Sequence, residues 1–261
     1  MRVCDPHLVR YRADVFTVGS MDGGSSEESA GTPTSSPLRP ILNRNRWIGL
    51  PFVIGSILFI VAVPIAYASI LTSALLFFVG SSLYLIGAGA DAWNARATAL
   101  NGAQWRSSID VEGSTEGGWT RYLRRRFSAS LIQAIGAILF QIMVIAGLIT
   151  GLSPWLQSVF IWEPDIAGSL CFVLASAMLV SARHPLAGRG DFRDRIKGAS
   201  LFNLGGSICF LISSIGAFTT LNGTDEFSPM LAEWGTVIGG VLFMIGSWPG
   251  LPERLRSGIV G

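Results

Sequence analysis

The sequence predicts an all-α polytopic membrane protein: six transmembrane helices forming three parallel two-helix hairpins, with both termini inside. Three observations carry this. Only 14% of the 261 residues are charged while 50% are hydrophobic, and the mean hydropathy is +0.50, against about 25% charged in soluble domains. Six apolar stretches approach the roughly 17–25 residues that one crossing needs. With alternate connections placed on opposite sides, all 19 Arg and Lys fall on one side, the side that positive-inside bias makes cytoplasmic.

The elements follow in order. Residues 1–45 contain the tract "GSMDGGSSEESAGTPTSSP", too poor in apolar surface to order itself, and read as a disordered cytoplasmic tail with a start at Met1 or Met21. No stretch in it is apolar enough for a cleaved signal peptide. From Ile48 to Ala90 there is no charge, and as one helix this run would reach about 65 Å, twice a bilayer core. It must fold back, and Pro64 marks the turn, giving hairpin 1 over 46–90 with spans 47–65 and 69–90.

A cytoplasmic loop is expected over 91–126. Hairpin 2 (127–182) has spans 128–149 and 166–182, joined by "LSPWLQSVFIWEPD" as an interfacial loop. A basic cytoplasmic loop covers 183–197. Hairpin 3 (198–251) has spans 198–219 and 234–251, and 252–261 is a cytoplasmic tail. The outer connections hold Glu163, Asp165, Asp225, Glu226 and Glu233 and no basic residue. Trp47, Trp93, Trp155, Trp162, Trp234 and Trp248 fall near span ends, where amphipathic rings favour the headgroup layer, whereas Trp105 and Trp119 sit in the long inner loop.

One apolar pentad occurs three times: "GSILF" at 55–59, "GAILF" at 136–140 and "GSICF" at 206–210. The pentads fall in spans one, three and five, which run the same way. Spans two, four and six share a second pattern, "FFVGS" ending at Ser81, "FVLAS" at Ser176 and "FMIGS" at Ser247. The repeated unit is therefore a hairpin crossing twice, and its copies are parallel, unlike the inverted repeats of many carriers. Gly55, Phe59, Gly136, Phe140, Gly206 and Phe210 are expected to pack helices, since small residues let backbones approach where lipid supplies no hydrophobic drive. Gly235 and Gly239 form a GxxxG of the same kind.

The deep spans carry no Asp, Glu, Lys, Arg or His, and there is no HExxH, Walker loop or triad. No catalytic, cofactor or metal residue is assigned, and no nucleic-acid partner is expected. Cys4, Cys171 and Cys209 make no disulfide framework, and His7 and His184 read as surface residues. Asp91 and Asp165 read as caps or interfacial charges. Gln133, Gln141, Asn203, Ser207 and Ser214 form a polar stripe in spans three and five, which would line a small polar path or hydrogen-bond between helices. Arg121, Arg124, Arg125 and Arg126 suit either anionic lipid or positive-inside anchoring.

The stretches "WEPDIAGSLCFVLASAMLV" (162–180), "SLFNLGGSICFLISSIGAF" (200–218) and "GTVIGGVLFMIGS" (235–247) resemble uncharacterised actinobacterial multispan proteins of the YrhK-like type. The resemblance covers much of the chain from Arg46 onward, without the tail or the long inner loop. It implies a bacterial membrane location and brings no activity or site residues with it. The expected role is that of a non-enzymatic plasma-membrane component, structural or regulatory, touching the bilayer and pairing with itself or another membrane protein. The alternative is a small-solute channel or transporter using the polar stripe.

Overall fold

The computed structural model describes residues 48–107, 116–182, 190–218 and 227–251. The tail expected over 1–45, with His7, Cys4 and the choice of start, lies outside these residues, as do Trp47, His184 with the rest of 183–189, and 252–261. The described residues are helices and short turns between them, and six helical runs are long and apolar enough to cross a membrane.

Helix α1 spans Gly49–Ala66, with Pro64 inside its last turn and not ending it. The amides of Ala68 and Ser69 both donate to the Ile65 carbonyl at 2.9 Å, making a tight turn into α2, Ile70–Ser107. The Ser69 hydroxyl accepts from the Thr72 amide at 3.3 Å, satisfying a donor that a helix start otherwise leaves open. Helix α3 is Glu116–Gly147. The expected loop over 91–126 is therefore helical at both ends, with 108–115 outside the described residues. Asp91 ends the uncharged run but not the helix, because the alanine-rich residues after it retain helix propensity.

The connection expected after span three is mostly helix as well. Gly151 turns the chain at φ +80°, a left-handed conformation that suits glycine. Ser153 then caps α4 (Pro154–Gln157), its hydroxyl accepting from the Leu156 amide, with Pro154 at a position where no donor is needed. A π-turn over Ser158–Trp162 joins α4 to α5, Glu163–Val180, so one helical run extends from 154 to 180. The physical cause is Pro164: it has no N–H to offer, and the Glu163 amide bonds back to the Ser158 carbonyl in a wider turn. The helical run thus begins twelve residues before the expected span at 166. Helix α6 is Gly190–Ala217, and α7 is Pro229–Ser247, followed by a 3₁₀ turn at Trp248–Gly250. Ser228 caps α7 as Ser153 caps α4, so the helix starts five residues before the expected span at 234.

Each long helix packs on its neighbours in sequence, and α7 packs back on α1, closing a ring in the order α1, α2, α3, α5, α6, α7. Tyr67 helps hold the closure by donating to Glu233 at 2.6 Å across the α1–α2 turn and α7. That bond and the adjacent negative charge raise the Tyr67 pKa above its usual value. The outward faces carry Ile54, Ile57, Val61, Ile86, Leu131, Ile135, Ile138 and Ile142, all exposed. Large aliphatic side chains outside, with aromatic, small and hydroxyl side chains inside, suit lipid as the surrounding solvent.

Candidate functional site

Three glycine pairs set the close approaches inside the ring. A β-carbon on Gly55 would lie 2.9 Å from the Gly80 carbonyl oxygen, and one on Gly80 would lie 3.2 Å from that of Gly55. Gly136 and Gly168 meet in the same reciprocal way at 2.9 and 3.0 Å, and Gly206 and Gly239 at 3.0 and 3.1 Å. Gly235 extends the last crossing, since its β-carbon would sit 2.8 Å from the Cys209 carbonyl oxygen. A β-carbon at any of these positions would press on the facing backbone, so glycine is what lets the helices come this close.

Four residues beyond each glycine stands an aromatic ring: Phe59, Phe140 and Phe210 on α1, α3 and α6, and Tyr84, Phe172 and Phe243 on α2, α5 and α7. The first three meet at the centre of the ring, with centroids 6.1 Å apart for Phe59–Phe140, 6.0 Å for Phe59–Phe210 and 6.0 Å for Phe140–Phe210. Each also touches the aromatic residue of its neighbour in sequence, at 5.2, 6.2 and 5.5 Å respectively. The six side chains are one cluster, and the void that Phe59, Tyr84, Phe140, Phe172 and Phe210 line is about 10 Å³, room for about one water.

These contacts align Gly80 with Gly168 and Gly239, and hence "GSSLYLIGA" with "GSLCFVLAS" and "GGVLFMIGS". The pattern ending at Ser81 is thus displaced by two helical turns from those ending at Ser176 and Ser247. Its apolar letters are nearly interchangeable, and only the crossing distances distinguish the two registers.

The polar stripe is divided among several contacts. Ser207 donates to the Asn203 carbonyl in its own helix at 2.8 Å, which leaves its oxygen to accept from Ser176 of α5 at 3.1 Å. Ser214 does the same, donating to Phe210 at 3.0 Å and meeting Ser169 at 2.8 Å. Ser56 repeats the device on α1, bonding the Phe52 carbonyl and accepting from the Tyr84 hydroxyl at 2.6 Å. The Asn203 carboxamide packs onto Gly246 of α7, away from those serines. Gln133 and Gln141 lie partly buried on α3. The side-chain oxygens of Gln141 and Asn203 are buried without a hydrogen-bond partner.

Asp165, expected as a cap or an interfacial charge, stands in the first turn of α5 and is only 7% exposed. It lies beside the Ser169–Ser214 hydrogen bond that joins α5 to α6. Nothing in its own stretch of sequence signals this burial; the second helix creates it. Removing the carboxyl takes a polar neighbour from the Ser169–Ser214 pair, whose hydroxyls keep each other, and Asp165→Ala is expected to cost about 1 kcal/mol. Thermal melting in detergent checks this; a variant as stable as the parent or more so would mark Asp165 as a group kept at the expense of stability.

At the arginine-bearing end, Asp91 accepts from Ser130 at 2.6 Å and lies 3.8 Å from Arg126, tying α2 to α3. Arg125 donates to the Ser181 carbonyl at 3.3 Å. Arg126 is thus partly committed within the fold, while Arg121, Arg124 and Arg125 are exposed. Among the described residues no three His, Cys, Asp or Glu side chains converge to hold a metal. Neither a protein-family model, nor a curated protein, nor a solved structure matches the chain.

Proposed function

We propose that this multispan membrane protein is a structural or regulatory component of a bacterial plasma membrane, acting through its helix surfaces and through partners at its arginine-bearing end. In this reading three parallel hairpins form the ring, both termini are cytoplasmic, and the molecule is not an enzyme. Kinship with the YrhK-like proteins belongs to the same proposal and rests on the three stretches quoted above.

The observation that carries the role is the closed centre. Phe59, Phe140 and Phe210 leave a void of about 10 Å³, and the ring's serines bond one another across helix faces. The threefold arrangement is supported by three glycine pairs and six aromatic residues in matching register; the orientation is supported by the one-sided distribution of Arg and Lys.

A second reading, a small-solute channel or transporter, is favoured by the partnerless oxygens of Gln141 and Asn203, since polar groups inside a membrane bundle are costly and often functional. Reconstitution into proteoliposomes separates the two. Fluxes of potassium, protons, glycerol and neutral amino acids are expected to equal those of empty vesicles. A flux abolished by Asn203→Leu replaces the structural reading with the transport one.

A further inference from the structure

We infer that Asp165 is a proton-binding site near the end of the bundle opposite its arginines, and that losing the proton loosens the seam between α5 and α6 there. The inference deepens the regulatory reading above and rests on it for its role: the signal is the acidity on that side of the membrane. Helix length sets the depth of the carboxyl. Asp165 stands 16 residues from Ser181, where α5 ends, and its neighbour Ser214 stands 16 residues from Gly198, where the charges of α6 stop. Each distance is about 24 Å at 1.5 Å per residue, short of the roughly 30 Å of a hydrocarbon core. Asp165 is 7% exposed. One turn nearer the end of the bundle, Trp162 packs on Phe218 with ring centroids 6.4 Å apart and screens it from water.

No cation of the helices around it comes within reach. The elements packed on α5 are α3, α6 and the π-turn, and residues 128–149, 158–162 and 198–218 contain no Asp, Glu, Lys, Arg or His. Arg126 of α3 stands 13 residues, about 20 Å, from Leu139, and Leu139 faces Gly168, itself one turn deeper than Asp165. The titratable groups nearby are Glu163 on the same helix, the thiols of Cys171 and Cys209, and Glu233 of α7, which Tyr67 already holds. The connection over 219–226 adds Asp225 and Glu226, acids again.

The hydrogens at the site are committed as well. Ser214 donates to the Phe210 carbonyl at 3.0 Å, so in its 2.8 Å contact with Ser169 the donor is Ser169. Neither hydroxyl keeps a hydrogen for a carboxylate beside the pair. The helical run is continuous from 154, and the Glu163 amide bonds the Ser158 carbonyl, so α5 has no open N-terminus to supply donors. A carboxyl carrying its own hydrogen fits these surroundings, whereas an ionised one is a buried charge without a partner. Release breaks the carboxyl O–H bond, passes the proton to water on the near side and leaves the negative charge on Asp165. Water entering beside Ser169 and Ser214 accommodates that charge, at the expense of the contact between the two helices.

Thermal melting of the full chain in mild detergent, at about pH 5 and about pH 9, tests the site. Charging Asp165 penalises the folded bundle and not the unfolded chain, so stability falls as pH rises. Between these limits the parent is expected to lose about 5 °C more than Asp165→Asn, whose neutral amide keeps the shape of the protonated acid. Amide hydrogen exchange reads the seam and needs no variant. Relative to peptides of α1, protection over 163–170 and 211–217 is expected to fall about tenfold across the same range. Equal pH dependence of the parent and Asp165→Asn overturns the proposal, as does seam protection that follows α1. A melting temperature sustained at about pH 9 by sodium chloride and not by choline chloride, in the parent alone, replaces the proton with a metal cation. A solute flux in the vesicle assay removes the regulatory role and leaves the melting difference in place, so site and role fail separately.

Discussion

Gly136→Leu is expected to melt about 10 °C below the parent in detergent, or to fail to assemble. The β-carbon alone would lie 2.9 Å from the Gly168 carbonyl oxygen and 2.9 Å from the Cys171 β-carbon, with three further carbons still to place. No rotamer relieves a clash with backbone, so α3 and α5 must separate along their whole crossing. Overpacking a core costs about 1–3 kcal/mol where side chains yield, and here the cost lies at or above the top of that range. A drop of about 3 kcal/mol corresponds to about 6–12 °C in a chain of this size. Gly206→Leu faces the Gly239 carbonyl oxygen at 3.0 Å and is expected to behave alike. Gly89→Leu is the control, because nothing lies within 4 Å of its β-carbon and leucine favours helix more than glycine does. If Gly136→Leu and Gly89→Leu melted together, the glycines would not be the points of contact.

Phe59→Ala is the second large effect, and its size follows from the solvent. In water a truncation of this kind loses transfer free energy as well as packing, but lipid is as apolar as the site, so the transfer contribution largely vanishes. What remains is the hole. Phe59 is 2% exposed and lies 5.2–6.1 Å from the rings of Phe77, Tyr84, Phe140 and Phe210, so little can collapse into its place. A cavity on the order of 100–150 Å³ at about 24 cal/mol per Å³ gives about 2–4 kcal/mol. The enlarged void is dry and apolar, and benzene is expected to restore part of the melting temperature of Phe59→Ala while leaving the parent unmoved. Ile57→Ala, on the outward face at 43% exposure, is expected to change little. Equal losses for Phe59→Ala and Ile57→Ala would mean that the aromatic cluster does not hold the ring.

Six apolar helical runs were legible because crossing a bilayer requires length and hydropathy, and both are local properties. Their ends were less so. Ser153-Pro154 and Ser228-Pro229 are ordinary helix-start signals, yet each stands beside Trp, Glu or Phe residues that resemble an interfacial loop, and hydropathy alone hides the cap. Ser69, Ser153 and Ser228 each cap the start of a helix; this regularity was in the sequence and appears once the caps are compared. The candidate residues divide in the same way. Gly55, Gly136 and Gly206 stand out as glycines within apolar runs, whereas Asp165, Ser169 and Tyr84 acquire their surroundings from helices remote in the chain. Ser207 and Ser214 share a helix face, as their spacing requires, and that face meets α5.

The three glycine pairs also have a consequence for how the chain is made. Each pair joins helices that follow one another in synthesis, so each approach becomes available as soon as its second helix has emerged, without waiting for later residues. Contacts short in sequence form early and cheaply. The contact between α7 and α1 is the exception: Gly240 approaches Ile60 and Ser56 across nearly the whole described chain. Until that seam shuts, the faces of α1 and α7 that will meet are open to any other membrane segment, which makes the interval between translation of the sixth span and closure of the ring the period of greatest exposure to mispairing during biogenesis.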